Sequence, residues 1–285
     1  MDWRLKVLRQ AVLARMPFGS SLRRIKRQLF GYEPDRENLR CTLSNFDQMS
    51  GALDAIGRSF KGTVVLEIGS GWFPTIPIML ALGGARRVLM SDLTVHMDDV
   101  TFSATLRFLQ DTMPMDSRLR TVTQFSDLPL TYLAPFDVQA IPDGSIDLIV
   151  SRTVLEHISE QDLKHLMSAL RPKLALNGLM VHLIDHSDHL EHTDKSISKI
   201  NFLTWPKRKH ALINFLTREG ENRLRHHEYQ RVFEALGYQI VSTAIEIHEL
   251  TRESAKTLPL VAPFSTMSPD QLAVLSSIYV LSPKP

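Results

Sequence analysis

The chain holds one cysteine, Cys41, in 285 residues. A single thiol cannot close an internal disulfide, and it supplies neither a thiolate zinc cluster nor a redox pair, so a reducing compartment is expected. No stretch of roughly 18 or more uninterrupted apolar residues occurs, so no spanning helix is expected. The first residues carry scattered basic side chains and no continuous apolar run, so a signal peptide is not expected either. An excess of one charge is also lacking: 33 Lys+Arg face 31 Asp+Glu, a net charge of +2. That balance gives no overall field for a polyanion. There is no internal repeat and no low-complexity tract. A 44% hydrophobic content over this length instead supports one α/β core with insertions.

What the sequence does have is concentrated between Val64 and Asp92, VVLEIGSGWFPTIPIMLALGGARRVLMSD. Val64, Val65, Leu66 and Ile68 form the nearly continuous apolar run of a parallel strand covered on both faces. Gly69-Ser70-Gly71 follows as a turn, where glycine lets the backbone bend sharply and approach a ligand. A helix comes next, its N-terminal N–H groups facing the same place. A second strand, Arg87–Ser91, closes on Asp92. An acidic residue at that strand tip is placed to accept hydrogen bonds from ribose hydroxyls. The segment describes a nucleoside-binding crevice at the carboxyl edge of a parallel sheet.

Two departures from the dinucleotide fingerprint narrow the ligand. Pro74 stands where a third glycine would let strand and helix pack over a pyrophosphate, and Glu67 lies inside the strand two residues before the first glycine. A carboxylate there is unwelcome beside a pyrophosphate and suits a cationic or amine-bearing ligand. Glu-x-Gly-x-Gly followed by Asp92 resembles the first motif and acidic loop of class I S-adenosylmethionine-dependent methyltransferases. Further on, Asp147-Leu-Ile-Val-Ser151 and Leu155-Glu-His157-Ile resemble the fourth strand and following turn of the same superfamily. The likeness runs from Val64 to Asp185. It implies a Rossmann-like, doubly wound, seven-stranded, mostly parallel sheet, with S-adenosyl-L-methionine as cofactor on the first half and the acceptor over strands four and five. Under that resemblance Glu67, Gly69, Ser70, Gly71, Asp92 and Leu93 would bind the cofactor. Asp137 would take the adenine amino group with Val138 against the ring, and Ser151 would close the site.

Two segments lie outside that core. Residues 1–30 carry eight Lys/Arg (Arg4, Lys6, Arg9, Arg15, Arg23, Arg24, Lys26, Arg27) against one acid, Asp2. Leu5, Leu8, Val12 and Leu13 recur at helical spacing, Pro17-Phe-Gly19 breaks the run, and a second basic helix is expected over Ser21–Phe30. This basic helical extension, residues 1–45, reads either as a lid packed on the catalytic domain, residues 46–285, or as an attachment to an anionic membrane surface or to a phosphate-bearing substrate. Residues 31–45 read as a loop and Phe46–Phe60 as a helix. The other segment follows the fifth strand (Leu179–Ile184): about 40 residues, 186–225, separate it from a helix at His226–Leu236, and long loops at a sheet's carboxyl edge are usually functional. A sixth strand from Gly237 and an antiparallel seventh over Ser277–Leu281 complete the sheet.

The chemistry expected of this segment follows from its composition. Asp185, His186, Asp188, His189, Glu191, His192 and Asp194 crowd ten residues just after strand five. Methyl transfer from a sulfonium needs alignment above all, and a hydroxyl acceptor also needs a base. Histidine titrates near neutral pH, so His189 is the first candidate, His186 the second, with Asp185 or Asp188 orienting. A divalent metal ion is the rival explanation of the same cluster, and the spacing does not decide between them. His192, Asn201, Arg223, Arg225 and Tyr229 are candidates for acceptor binding, the arginines as an anion pocket.

The C-terminal half looks like methyltransferases of surface-polysaccharide and secondary-metabolite pathways, on Asp188-His189, His192-Thr-Asp194, Ile197-Ser198, Asn201-Phe-Leu203 and Asn222-Arg-Leu-Arg225. That resemblance implies a small-molecule or glycan-linked acceptor, with O-methylation favoured over N-methylation, in the cytoplasm. A nucleic-acid partner is not expected: Ser151-Arg-Thr-Val154 stands where base-amine enzymes carry Asn/Asp-Pro-Pro-aromatic. An NAD-dependent oxidoreductase is disfavoured by Pro74, Glu67 and the lack of a Tyr-x-x-x-Lys pair.

Overall fold

The apolar runs become the strands of a single sheet. The structure, a computed structural model, describes residues 1–15 and 35–284. The break at Pro17–Gly19 and the second basic helix lie outside the described residues. The strands are β1 (Val64–Ile68), β2 (Arg87–Ser91), β3 (Leu130–Leu133), β4 (Ile146–Arg152), β5 (Leu174–Asp185), β6 (Tyr238–Ile247) and β7 (Val274–Pro283). Their order is β3-β2-β1-β4-β5-β7-β6, with β1 to β5 parallel and β7 antiparallel to both of its neighbours. This is the seven-stranded, mostly parallel, Rossmann-like sheet that the sequence led us to expect. The fifth, sixth and seventh strands run longer at one or both ends than the apolar pattern indicated.

Because successive strand residues face opposite sides, β1 feeds two separate cores. Val65 packs with Val88, Val150 and Val181 against helices on one face, and Leu66 and Ile68 pack with Leu89 and Ile149 on the other. The first face is covered by α2 (Arg36–Asp54), α3 (Thr75–Leu82) and α4 (Asp99–Thr112); a short α5 (Ser117–Thr121) follows α4. The second is covered by α6 (Glu160–Leu170) and α8 (His226–Ala235), through Leu163, Met167, Tyr229 and Phe233.

Helix α2 corrects the expectation of a loop over the described part of residues 31–45, from Arg36 on. Asp35 caps it, its carboxylate accepting the N–H groups of Glu37 and Asn38 at 3.0 and 3.4 Å. Leu39, Thr42, Phe46, Met49 and Leu53 then form its buried stripe.

A third core lies beyond the carboxyl edge of the sheet. It joins Val7 of α1 (Trp3–Arg15) to Leu190, Ile200, Phe202 and Trp205 of the segment after β5. Ile213 of α7 (Lys207–Thr217) and residues of the 249–275 stretch, with α9 (Glu249–Ala255) and α10 (Pro269–Ala273), complete it. The segment 186–225 is therefore folded around its own apolar centre and is not an open loop. Helix α1 is fastened to it: Trp3 stacks on Trp205 at 5.3 Å, Trp3 N–H donates to Asp194 at 2.9 Å, and Lys6 Nζ donates to the His189 carbonyl at 2.8 Å. Leu5, Leu8 and Val12 of the same helix stay exposed. Among the described residues no helix is long and apolar enough to cross a membrane.

Candidate active site

Four strand ends set the site: β1 runs into Gly69, β2 into Asp92, β4 into Thr153, and β5 ends at Asp185. Gly69 and Gly71 both have positive φ, +75° and +66°. At Gly69 the requirement is steric as well, since a Cβ there would stand 2.5 Å from Val154 Cγ2. Thr153 also has a positive φ, 49°, rare for a β-branched residue, and its N–H donates to the Leu183 carbonyl at 2.9 Å. Strain of this kind persists only where the surroundings impose it, and it gathers at functional sites.

Two cavities flank this bend. The first, about 370 Å³, is lined by Glu67, Gly69, Ser70, Gly71, Trp72, Phe73 and Ile76, with Asp35, Leu39 and Thr42 from the start of α2. The second, about 550 Å³, is lined by His157, Asp185, Ser187, His189, His192 and Lys199, with Cys41 and Asn45 of α2 and Glu246, His248, Leu275 and Ser276 opposite. Asn38, Arg152 and Thr153 line both.

In the first cavity Glu67 is buried and accepts a hydrogen bond from the Ser70 hydroxyl. Burial pushes its carboxyl up to about 7; the Ser70 bond and Arg152 oppose that rise, while the Asp92 charge adds to it. Asp92 lies at the tip of β2. Its Oδ2 accepts the Gly71 N–H at 2.7 Å, its Oδ1 accepts the Leu93 N–H at 3.1 Å, and His96 stands 3.6 Å from Oδ1. Trp72 packs on His96 at 4.8 Å, closing one side of this corner. Leu93 is 80% exposed beside Asp92. Asp137 is exposed, caps the turn Val138–Ala140 by accepting the Gln139 N–H at 2.9 Å, and follows Phe136, whose N–H donates to the Asp92 carbonyl at 2.8 Å. The structure thus brings Glu67, Gly69, Ser70, Gly71, Asp92, Leu93, Asp137 and Val138 to one edge. Ser151 does not join them: it is fully buried and its hydroxyl bonds His182 Nδ1 at 2.8 Å.

In the second cavity Asp185 faces two imidazoles, His189 Nε2 at 3.6 Å and His192 Nε2 at 3.8 Å. Burial would lower His189, but Asp185, Glu221 and Glu156 outweigh it and push it up to about 9. Burial raises Asp185, yet His189 and Ser187 hold its carboxyl far below the usual range. His192, its side chain 50% exposed, is lowered by burial, which Asp185 opposes. Glu156, unremarked as a site residue in the sequence, is buried behind Asp185, whose N–H it accepts at 3.3 Å, and is pushed up to about 8 by that burial.

Several expected site residues point elsewhere. His186 is buried, bonds Ser277 Oγ at 2.8 Å and packs on Tyr229 at 5.5 Å, behind the strand end. Asp188 is fully buried and folds its own segment, accepting the N–H groups of Leu190 and Phe202 at 2.9 Å each. Asn201 leans on that same carboxylate at 3.5 Å. Arg225 is fully buried, donating to the carbonyls of His186, Leu272 and Val274 at 2.6, 3.0 and 2.8 Å. Arg223 donates to the Trp205 carbonyl at 2.7 Å and lies over Phe264, and buried Tyr229 donates to the Leu155 carbonyl at 3.2 Å. The expected anion pocket is instead a set of clamps on backbone carbonyls, several of them where helices and strands begin or end.

No family model matches this chain, and no curated protein matches it in sequence. Solved structures do resemble it. Magnesium protoporphyrin IX methyltransferase from Synechocystis, crystallised with S-adenosylhomocysteine, is 18% identical, over 97% of this chain and 100% of that chain, with a TM-score of 0.50. This chain has the class I S-adenosylmethionine-dependent methyltransferase fold. Geranyl diphosphate C-methyltransferase from Streptomyces coelicolor is 12% identical over 86% of this chain and 80% of that one, TM-score 0.49. A methyltransferase from Leishmania major is 13% identical over 98% of this chain and 83% of that one, TM-score 0.48.

Proposed function

We propose that the chain is an S-adenosyl-L-methionine-dependent methyltransferase acting on a small-molecule acceptor, with oxygen as the methylated atom. The observation that carries this reading is the pair of cavities meeting at Asn38, Arg152 and Thr153. One has the glycine turn and a buried carboxylate suited to an ammonium group, and the other has histidines and a carboxylate suited to an acceptor hydroxyl. Glu67 would meet the amino group of the cofactor's methionine part, and Asp92 the ribose. A carboxylate has about four lone-pair sites, so the two backbone N–H groups on Asp92 leave room for hydroxyls. Leu93 and Val138 would cover the adenine ring.

In the reaction, an acceptor oxygen lone pair forms the new C–O bond while the C–S bond breaks and its electron pair returns to a neutral thioether. Holding the oxygen about 3 Å from the methyl carbon on that axis supplies much of the acceleration. The hydroxyl proton goes to His192, the histidine most open to the cavity. His189, bound to Asp185, holds that carboxylate in place.

Calorimetric titration of the purified full chain with S-adenosylhomocysteine, and separately with NAD, tests the reading. Micromolar binding of the first alone is expected. Binding of NAD instead, or of neither, overturns it.

A further inference from the structure

Behind His157 and Asp185 of the second cavity lies a group with more bonding capacity than its protein neighbours use. Glu156 is 3% exposed; its Oε1 accepts the Asp185 N–H at 3.3 Å, and its Oε2 has no hydrogen-bond partner among the described residues. Buried carboxylate oxygens are ordinarily satisfied by donors or by a cation. Beside it, His157 Nδ1 lies 2.8 Å from the Glu219 carbonyl. A carbonyl only accepts, so Nδ1 carries the ring proton, and Nε2 is left with a lone pair. The His189 ring stands 4.9 Å from that of His157.

We infer that Glu156, His157 and His189 form a binding site for a divalent transition-metal ion. One ligand atom from each lies within 4.8 Å of the others. Ligands about 2.1 Å from a shared ion stand roughly 3–4 Å apart, so small side-chain rotations close the set. Asp185, 3.6 Å from His189 Nε2, and Glu221, which accepts the backbone N–H of His189 at 3.3 Å, add negative charge around it.

The backbone that presents these groups is clamped. Asn222 donates its N–H to the Glu156 carbonyl at 2.6 Å, and its side chain donates to the carbonyls of Leu155 and Ile158 at 2.9 and 2.8 Å. Gly220 has φ +68°, and a Cβ there would meet the His157 carbonyl at 2.9 Å, so only glycine brings the 219–222 strip this close. An imidazole whose second nitrogen is fixed on a carbonyl is the usual arrangement of a metal-binding histidine.

Two imidazoles and one carboxylate suit zinc, manganese, iron(II) or cobalt, whereas calcium and magnesium favour oxygen ligands throughout. Three protein ligands leave coordination positions open towards the cavity that His157, Asp185 and His189 line. An ion there would take an acceptor oxygen and ease loss of its proton. That role rests on the methyltransferase reading; the ion site does not.

The test uses the full chain, stripped with a chelator and dialysed against Co²⁺ and, separately, Zn²⁺. We expect one metal per chain, visible for Co²⁺ as d–d absorption. Glu156→Gln, His157→Ala and His189→Ala should each weaken binding by about tenfold or more. His165→Ala, on the exposed face of α6, should not weaken it. S-adenosylhomocysteine titration of every sample reports that the neighbouring cavity is intact. Failure of the wild type to bind that ligand would sink the methyltransferase reading and leave the metal result standing. Substoichiometric metal in the wild type, or equal affinity in Glu156→Gln and His189→Ala, overturns the ion site.

Discussion

Gly71 donates its backbone N–H to Asp92 Oδ2 over 2.7 Å, which ties the turn after β1 to the tip of β2. The Asp92 carboxylate therefore shapes the turn as well as offering lone pairs to a ligand. Asp92→Ala removes both functions and is expected to weaken S-adenosylhomocysteine by at least about tenfold, since each charge-assisted hydrogen bond contributes roughly 1.5–3 kcal/mol. Calorimetry measures it; unchanged affinity would displace the ribose from this corner.

Glu67 gives a pH dependence whose sign can be worked out. Its carboxyl titrates near 4.5 when unfolded and is pushed up to about 7 by burial when folded. The folded state thus holds the proton more tightly, and the stability contributed by this group is full below pH 4.5 and is lost as pH rises through 7. The gap corresponds to about 3 kcal/mol. Thermal melts of the unliganded protein should show that slope, and Glu67→Gln should flatten it. Cofactor affinity runs the other way, because an ammonium ligand needs the carboxylate: it should rise from pH 6 to pH 8 in the wild type and stay low and flat in Glu67→Gln.

His192→Ala is expected to lower turnover by about 10²-fold or more, the ordinary contribution of a positioned base, with S-adenosylhomocysteine affinity unchanged. His186→Ala should instead lower the melting temperature and spare turnover, because His186 is bonded to Ser277 behind the strand. The reverse pattern in steady-state kinetics would exchange the two roles.

Arg225→Met is expected to destabilise the fold by about 3 kcal/mol or more, because it strips charged donors from three buried carbonyls. Denaturant melts would show this directly. A variant of native stability with only a raised KM for the acceptor would return Arg225 to the anion-binding role suggested by its place in the sequence.

The fold was legible because its signals are local. The apolar run at Val64–Ile68, the glycines after it and Asp92 all lie within one β–α–β unit, and their spacing fixes their meeting. Helix α2 was equally local, with Asp35 as its cap and Leu39, Phe46, Met49 and Leu53 at helical intervals; its buried stripe starts earlier than the apolar stretch that draws the eye. The second cavity was less legible, since its members come from α2, β4, β5, β6 and β7. In the run from Asp185 to Asp194 nothing in residue type separates His189, which lines the cavity, from His186, which is buried behind it. The direction of each side chain depends on where β5 ends and how 186–225 folds about Leu190 and Phe202. Glu156 looked like an ordinary turn residue because its isolation comes from burial, which no local pattern encodes.

Helix α2 stands between the two cavities, with Asn38 facing both, Leu39 and Thr42 facing one, and Cys41 and Asn45 facing the other. A ligand on either side restrains the same partition. On the proposed function the affinities of methyl donor and acceptor would be thermodynamically linked, and the factor by which one raises or lowers the other would be equal in both directions. Cooperativity between the two substrates would, on that function, run through this helix and through Arg152 and Thr153, which also line both cavities.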